Sequence, residues 1–251
     1  MRTALALFTI VPVRDAVALT RERAVVAVRW FPLIGAGLGA VAALPLAAIR
    51  AWAPHATLLG AVLALTLLAL FSRGLHLDGL ADTADGLASR APAERALEIM
   101  RRSDIGPFGV LAIVLTVLID VAALTAVEGS SWRPVAALAV AAATGRLAVL
   151  HAAHPRVPSA RTSGFGAHVA GSVSTPVAAF ESVVVLGGAL GLAALVNASG
   201  LGWLVAPAAA LVVVAGVRWH VTRRLGGVTG DVFGALVEIG TALTLIGLAF
   251  G

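Results

Sequence analysis

The chain has 251 residues, 59% of them hydrophobic and only 12% charged, with a mean hydropathy of +0.98. Soluble domains average about 45–50% apolar and about 25% charged residues, so a water-soluble globule is excluded. All 18 basic residues are Arg, against 13 acids, for a net charge of +5, and with no cysteine the chain has no disulfide, no Cys zinc site and no thiol catalysis.

In chain order, Arg2 and the apolar stretch 4–11 lack a small-x-small cleavage site and run into an Arg-rich segment from Arg14 to Arg29. This start reads as an interfacial or re-entrant segment rather than a signal peptide. A bilayer core takes about 20 apolar residues per helix, and such runs predict spans at 32–51, 56–75, 105–127, 135–153, 174–196, 202–219 and 231–250. Pro32, Pro45 and Pro54 interrupt or flank the first two. Between the second and third spans, residues 93–100 follow Pro92 and read as an amphipathic helix lying on the inner surface. The expected fold class is an all-α, polytopic membrane bundle of seven transmembrane helices, forming one membrane-embedded domain over 1–251.

Arginine positions orient this map, because Lys and Arg collect on the cytoplasmic side. With the N-terminus inside, 16 of the 18 arginines fall at the inner ends of spans, and only Arg50 and Arg133 fall outside. The expectation is a cytoplasmic N-terminus and an outer C-terminus in the cell membrane. The pI near 11.5 is then a topology signal. No Arg patch interleaved with aromatics occurs outside the loops, so a lipid bilayer and no nucleic acid is the expected partner. Oligomerisation is left open.

The acids are few enough to take singly, and four of the seven Asp lie between Gly74 and Gly109. On a helix, Asp78, Asp82 and Asp85 stand at about 0°, 40° and −20°, one stripe roughly 10 Å long. Three ionised carboxylates so placed repel by roughly 7 kcal/mol at an effective dielectric near 20. They must take up protons, meet arginines or bind a divalent cation. Hard oxygen ligands on one face suit Mg²⁺, which usually also carries waters and substrate phosphates. Gly79 and Gly86 remove side chains beside the stripe, so that a bulky ligand or another helix comes close. Asp104, just before the third span, stands where a helix cap or a further metal ligand is expected, and Arg102 where a phosphate clamp is expected.

The last inner loop carries Gly226, Gly230 and Gly234 at four-residue spacing, a small-residue face for close helix contact. Asp231 sits beside that face after a glycine-rich turn able to offer N–H groups to phosphate, and is expected to form a second wall of the same site. His151 and His154 are a poor metal pair, because Pro155 breaks their helix. Asp120, Glu181 and Glu238 lie within spans, where an ionisable residue is functional by default, and no role is assigned to them.

The runs RWFPLIGAGLG at 29–39, HLDGLADTADGL at 76–87, RALEIMRRSDIGPFGVLA at 95–112 and GGVTGDVFGALVE at 226–238 resemble the cobalamin 5′-phosphate synthase family, the adenosylcobinamide-GDP ribazoletransferases. A more distant similarity is to the CDP-alcohol phosphotransferases, whose signature begins D-x-x-D-G-x-x-A-R. Asp82 to Arg90 follows it with Ser89 in place of Ala. The signature's second Asp pair is represented here by Asp104 and Phe108, so Asp78 or Asp231 is the expected substitute ligand.

The resemblance implies a Mg²⁺-dependent phosphotransferase joining adenosylcobinamide-GDP to α-ribazole or α-ribazole 5′-phosphate, with release of GMP, late in cobalamin biosynthesis. The 5′ oxygen of the ribazole is expected to attack the phosphorus between cobinamide phosphate and GMP. Asp82, Asp85 and Asp104 are the expected catalytic residues, and the metal set is Asp78, Asp82, Asp85 and Asp104. Asp104 is expected to accept the proton. The polar residues in or beside the matching runs, His76, Arg90, Arg102, Ser103, Thr229 and Asp231, are the expected substrate contacts, on the cytoplasmic face. The competing enzyme reading is a phospholipid-type CDP-alcohol phosphotransferase. A secondary transporter fits less well, because transport sites lie at the midplane of repeated halves and these acids crowd one rim.

Overall fold

The computed structural model describes residues 1–12 and 20–251; Arg14, one of the orienting arginines, lies outside the described residues. The elements are α1 (Arg2–Phe8), α2 (Arg21–Arg29), α3 (Phe31–Ala42), α4 (Leu44–Trp52), a 3-10 turn (Pro54–Ala56), α5 (Thr57–Phe71), α6 (Leu75–Ala88) and α7 (Ala93–Ile99), then α8 (Pro107–Ala126), α9 (Arg133–Ala152), α10 (Phe165–Val169), α11 (Thr175–Leu195), α12 (Gly200–Leu225) and α13 (Gly230–Leu248). Among the described residues there is no strand, only an isolated parallel bridge between Ser159 and Val228.

Among the described residues, seven segments are long and apolar enough to cross a membrane, and they fall on the seven predicted spans. Two boundaries differ by more than two residues and the first span is bent, each for a local reason. The first span bends at Ala43, between α3 and α4, because Pro45 has no N–H for the carbonyl one turn back. The second ends at Phe71 rather than 75, since Arg73 and Gly74 take positive φ of 56° and 67° and turn the chain into α6. The sixth runs on to Leu225, six residues past the predicted end, so Arg218, Arg223 and Arg224 are helical; Gly226, at φ 80°, stops it.

The centre of the bundle is α9, whose apolar window is 89% buried, against 17% for the second span and 22% for α11. Its sequence is largely alanine, and small residues let backbones approach. On α3, Gly35 and Gly39 lie against the carbonyls of Ala142 and Leu138 of α9. On the opposite side Gly145 abuts Val237 of α13. The outer helices turn side chains such as Leu58, Leu118, Val183 and Val212 outward, an apolar surface suited to lipid.

At one end of the bundle the short helices are tied down by arginines. Arg73 donates to Leu7 O (2.9 Å), Arg21 to Ala167 O (3.3 Å), and Arg224 to Ala91 O. The other end holds Arg50, which donates to Val127 O (2.5 Å) and Gly129 O (3.2 Å), and Arg133, which donates to Asn197 O (2.6 Å).

Candidate active site

The acid stripe lies on α6 at the arginine-rich end, as the spacing predicts. The two glycines beside it admit helices. A Cβ on Gly79 would stand 2.6 Å from the backbone oxygen of Asp231, and one on Gly86 would meet the Met100 side chain. Gly79 and Gly234 thus mark the crossing of α6 over α13, where a Cβ on Gly234 would lie 3.1 Å from His76 O. Of the three regularly spaced glycines in the last loop, only Gly234 serves this crossing; Gly226 ends α12.

The crossing brings Asp231 to the stripe. Thr229 caps α13 by accepting the Val232 N–H (3.2 Å), and its hydroxyl donates to Asp231 Oδ2 (3.3 Å). Arg161 donates to the same oxygen (2.9 Å) and to Leu97 O (3.3 Å). The Arg161 loop is strapped to the turn before α13, with Ala160 N–H donating to Val228 O and Val228 N–H to Pro158 O, both at 2.9 Å. A backbone this close leaves no room for a side chain at Gly227.

Asp82 registers the convergence. Burial, then the charges of Asp231 and Asp78, push its carboxyl up to about 7, with Arg161 opposing. Both oxygens of Asp85 accept helix N–H groups, from Gly106 (2.7 Å) and Gly109 (2.9 Å). Asp85 therefore caps α8, the role sequence position suggested for Asp104. The N–H groups of a helix start carry partial positive charge and favour a carboxylate there. Asp78 is exposed, as are Arg90, Arg102, Ser103 and Asp104 at the rim.

Among the described residues, no three His, Cys, Asp or Glu side chains are grouped so as to hold a metal by themselves. The donor chemistry still fits Mg²⁺, which takes hard carboxylate oxygens such as these, held in mutual repulsion on two helices, and normally completes its octahedron with waters and phosphates.

Residues 1–249 match the cobalamin-5-phosphate synthase family. The chain belongs to that family. The adenosylcobinamide-GDP ribazoletransferase of Frankia casuarinae is 42% identical, covering 99% of this chain and 93% of its own length. Those of Nocardioides sp. and Klebsiella pneumoniae are 40% and 39% identical, covering 99% and 95% of this chain and 97% and 93% of their own lengths. No solved structure matches the chain.

In this cobalamin-5-phosphate synthase family member, His76 stands between two cavities, lining the one that Asp78 and Asp231 also line and a small one beneath it. It is buried, with its Nδ1 3.9 Å from Glu238 and its ring 5.7 Å from that of Phe31. Burial, and then the nearby Arg146 charge, hold the imidazole well below its usual pKa. Beneath the site, His76, Asp120, Arg146 and Glu238 line a cavity of about 30 Å³. That volume suits a single water. Arg161 was missed as a site residue because a loop arginine reads as a topology marker until its partner, 70 positions away, is known. A larger groove, about 660 Å³, opens between α9, α11 and α12 with no carboxylate in its lining; it is separate from these acids.

Proposed function

We propose that the chain is an adenosylcobinamide-GDP ribazoletransferase, a transferase of cobalamin biosynthesis, acting at the arginine-rich end of the bundle. One observation carries this reading: carboxylates from α6 and α13 converge with Arg161 within the motifs of a family whose curated relatives bear that name. By the distribution of arginines this end faces the cytoplasm, where both water-soluble substrates are available.

In the reaction, a ribose hydroxyl oxygen of α-ribazole or its 5′-phosphate forms a bond to the phosphorus of cobinamide phosphate. The bond from that phosphorus to the GMP oxygen breaks, and GMP leaves. The atom balance moves the attacking oxygen away from the 5′ position. In α-ribazole 5′-phosphate that oxygen is already esterified and the product retains the phosphate, so another ribose hydroxyl attacks.

Phosphoryl transfer needs positioning and charge neutralisation more than covalent catalysis. Asp82 and Asp78, with Asp85 and Asp231 beside them, would hold Mg²⁺. When bound, the ion supplies charge neutralisation at the pyrophosphate. Arg90 and Arg102, exposed at the rim, would bind phosphate oxygens. Asp104, exposed two residues before the Asp85-capped turn, is assigned to accept the hydroxyl proton.

The test is incubation of the purified protein with adenosylcobinamide-GDP and α-ribazole 5′-phosphate, reading GMP release. Release is expected only with both substrates and added Mg²⁺, and is abolished by a chelator. Turnover of a CDP-lipid with an alcohol acceptor, without reaction of the corrinoid, would overturn the reading in favour of a phospholipid enzyme.

A further inference from the structure

Beside the carboxylates lies a cavity of about 260 Å³ whose walls include Phe8, Phe31, Phe165 and Phe233, with Asp78 and Asp231 also lining it. Half of the chain's eight Phe gather here, whereas Phe108, Phe180 and Phe250 are exposed. The rings contact one another in series. Phe8 and Phe31 have centroids 4.1 Å apart, Phe8 and Phe165 meet edge-on at 5.2 Å, and Phe165 and Phe233 meet edge-on at 6.3 Å. Phe8, Phe31 and Phe233 are buried, and Phe165 is the partly exposed wall.

Size and chemistry narrow the occupant. The volume is just below the range of about 300–1,000 Å³ for a drug-sized ligand, so a corrinoid macrocycle does not fit and one flat bicyclic ring does. Of the two bicyclic bases in the reaction, guanine carries N–H donors and a carbonyl that must be hydrogen-bonded when buried. The dimethylbenzimidazole of α-ribazole has no N–H donor, and its methyl groups favour an apolar, aromatic enclosure. Of the polar groups in the lining, Arg73, His76, Asp78 and Asp231, Arg73 donates to Leu7 O, His76 lies against Glu238 and Asp231 accepts from Arg161 and Thr229, which leaves Asp78, an acceptor that offers no donor to the guanine carbonyl.

Resting on the transferase reading above, we propose that this cavity is the acceptor subsite. It encloses the benzimidazole base of α-ribazole against Phe165 and leaves the ribose on the side where Asp78 and Asp231 lie. Phe165 is then a specificity-determining residue that stands outside the four family motifs quoted from the sequence.

The experiment compares the unsubstituted protein with Phe165→Ala and Phe165→Leu under steady-state turnover. The expected result is a rise in KM for α-ribazole 5′-phosphate of about tenfold to a hundredfold for Ala, the range for losing a buried aromatic contact. Leu should raise it less, and KM for adenosylcobinamide-GDP should stay within about twofold, the resolution of such a measurement. Free 5,6-dimethylbenzimidazole is added as a probe. It should compete with the ribazole substrate in the unsubstituted protein and lose potency in Phe165→Ala. A rise confined to the KM of adenosylcobinamide-GDP would overturn the proposal, as would no change in either KM. Binding of the free base, followed by its own fluorescence without turnover, keeps the question separate from catalysis. If the unsubstituted protein releases no GMP, the transferase reading fails; if it turns over but does not bind the base, the subsite fails alone.

Discussion

The two ends of the bundle use arginine differently. At the end opposite the site, Arg50 and Arg133 donate to the carbonyls of Val127, Gly129, Glu128 and Asn197, in the turns that leave α8 and α11. At the arginine-rich end, Arg21 and Arg73 donate to Ala167 and Leu7, near the ends of α10 and α1, and Arg224 to Ala91 in the turn between α6 and α7. What differs is the acids: Asp78, Asp82 and Asp231 act on one another there, and Arg161 joins a carboxylate, Asp231, to its carbonyl partner Leu97. Arginine is therefore common to both ends, and what sets the arginine-rich end apart is that carboxylates from separate helices meet there.

The largest test of this contrast is Asp82→Asn. GMP release should fall by about a thousandfold, the scale of losing one charge-stabilising group. The thermal midpoint in detergent should rise, because the amide removes a like charge from the row. A midpoint that fell with activity would mean Asp82 is a structural partner. Gly79→Ala comes next. Its Cβ would press on the Asp231 backbone, costing about 1–3 kcal/mol of stability as overpacking does and about a hundredfold in turnover, since a shift of roughly 1 Å is enough for that loss. Arg161→Ala should follow, with a loss of about 2 kcal/mol in denaturant unfolding from the unpaired, partly buried Asp231, and Arg161→Lys should recover part of it. The smallest effect is expected from Arg50→Ala: about 1 kcal/mol, the scale of a helix-end charge, with turnover within about twofold. A large loss of turnover there would erase the distinction between the ends.

The spans were legible because hydropathy is a local property that survives without knowledge of neighbours. Boundaries failed where a charge masked a helix, as at Arg218 to Arg224, or where a positive φ at Arg73 ended one unannounced. The carboxylate stripe was legible because it lies on one helix and obeys its period. Pairings between helices were not. Asp85 finds its N–H donors 21 and 24 positions away and Arg161 its carboxylate 70 away, and no spacing rule reaches that far. His76 shows the same limit from the other side: its motif places it beside the acids, whose cavity it lines, and only packing shows that it also meets Glu238 beneath.

The burial of α9 also bears on how the protein is made. Arg146 lies within this helix, fully enclosed, and an arginine at the middle of a lone membrane helix costs about 2.5–3.5 kcal/mol on an insertion scale. When α9 leaves the ribosome, α3 is already present to cover one flank through Gly35, but α13, which brings Glu238 and seals the other flank, is roughly 90 residues behind. At an elongation rate of about 5–20 residues per second that is a wait on the order of ten seconds. During it the most buried helix of the finished protein is half open to lipid, so a nascent chain interrupted before α13 is the form most exposed to membrane quality control.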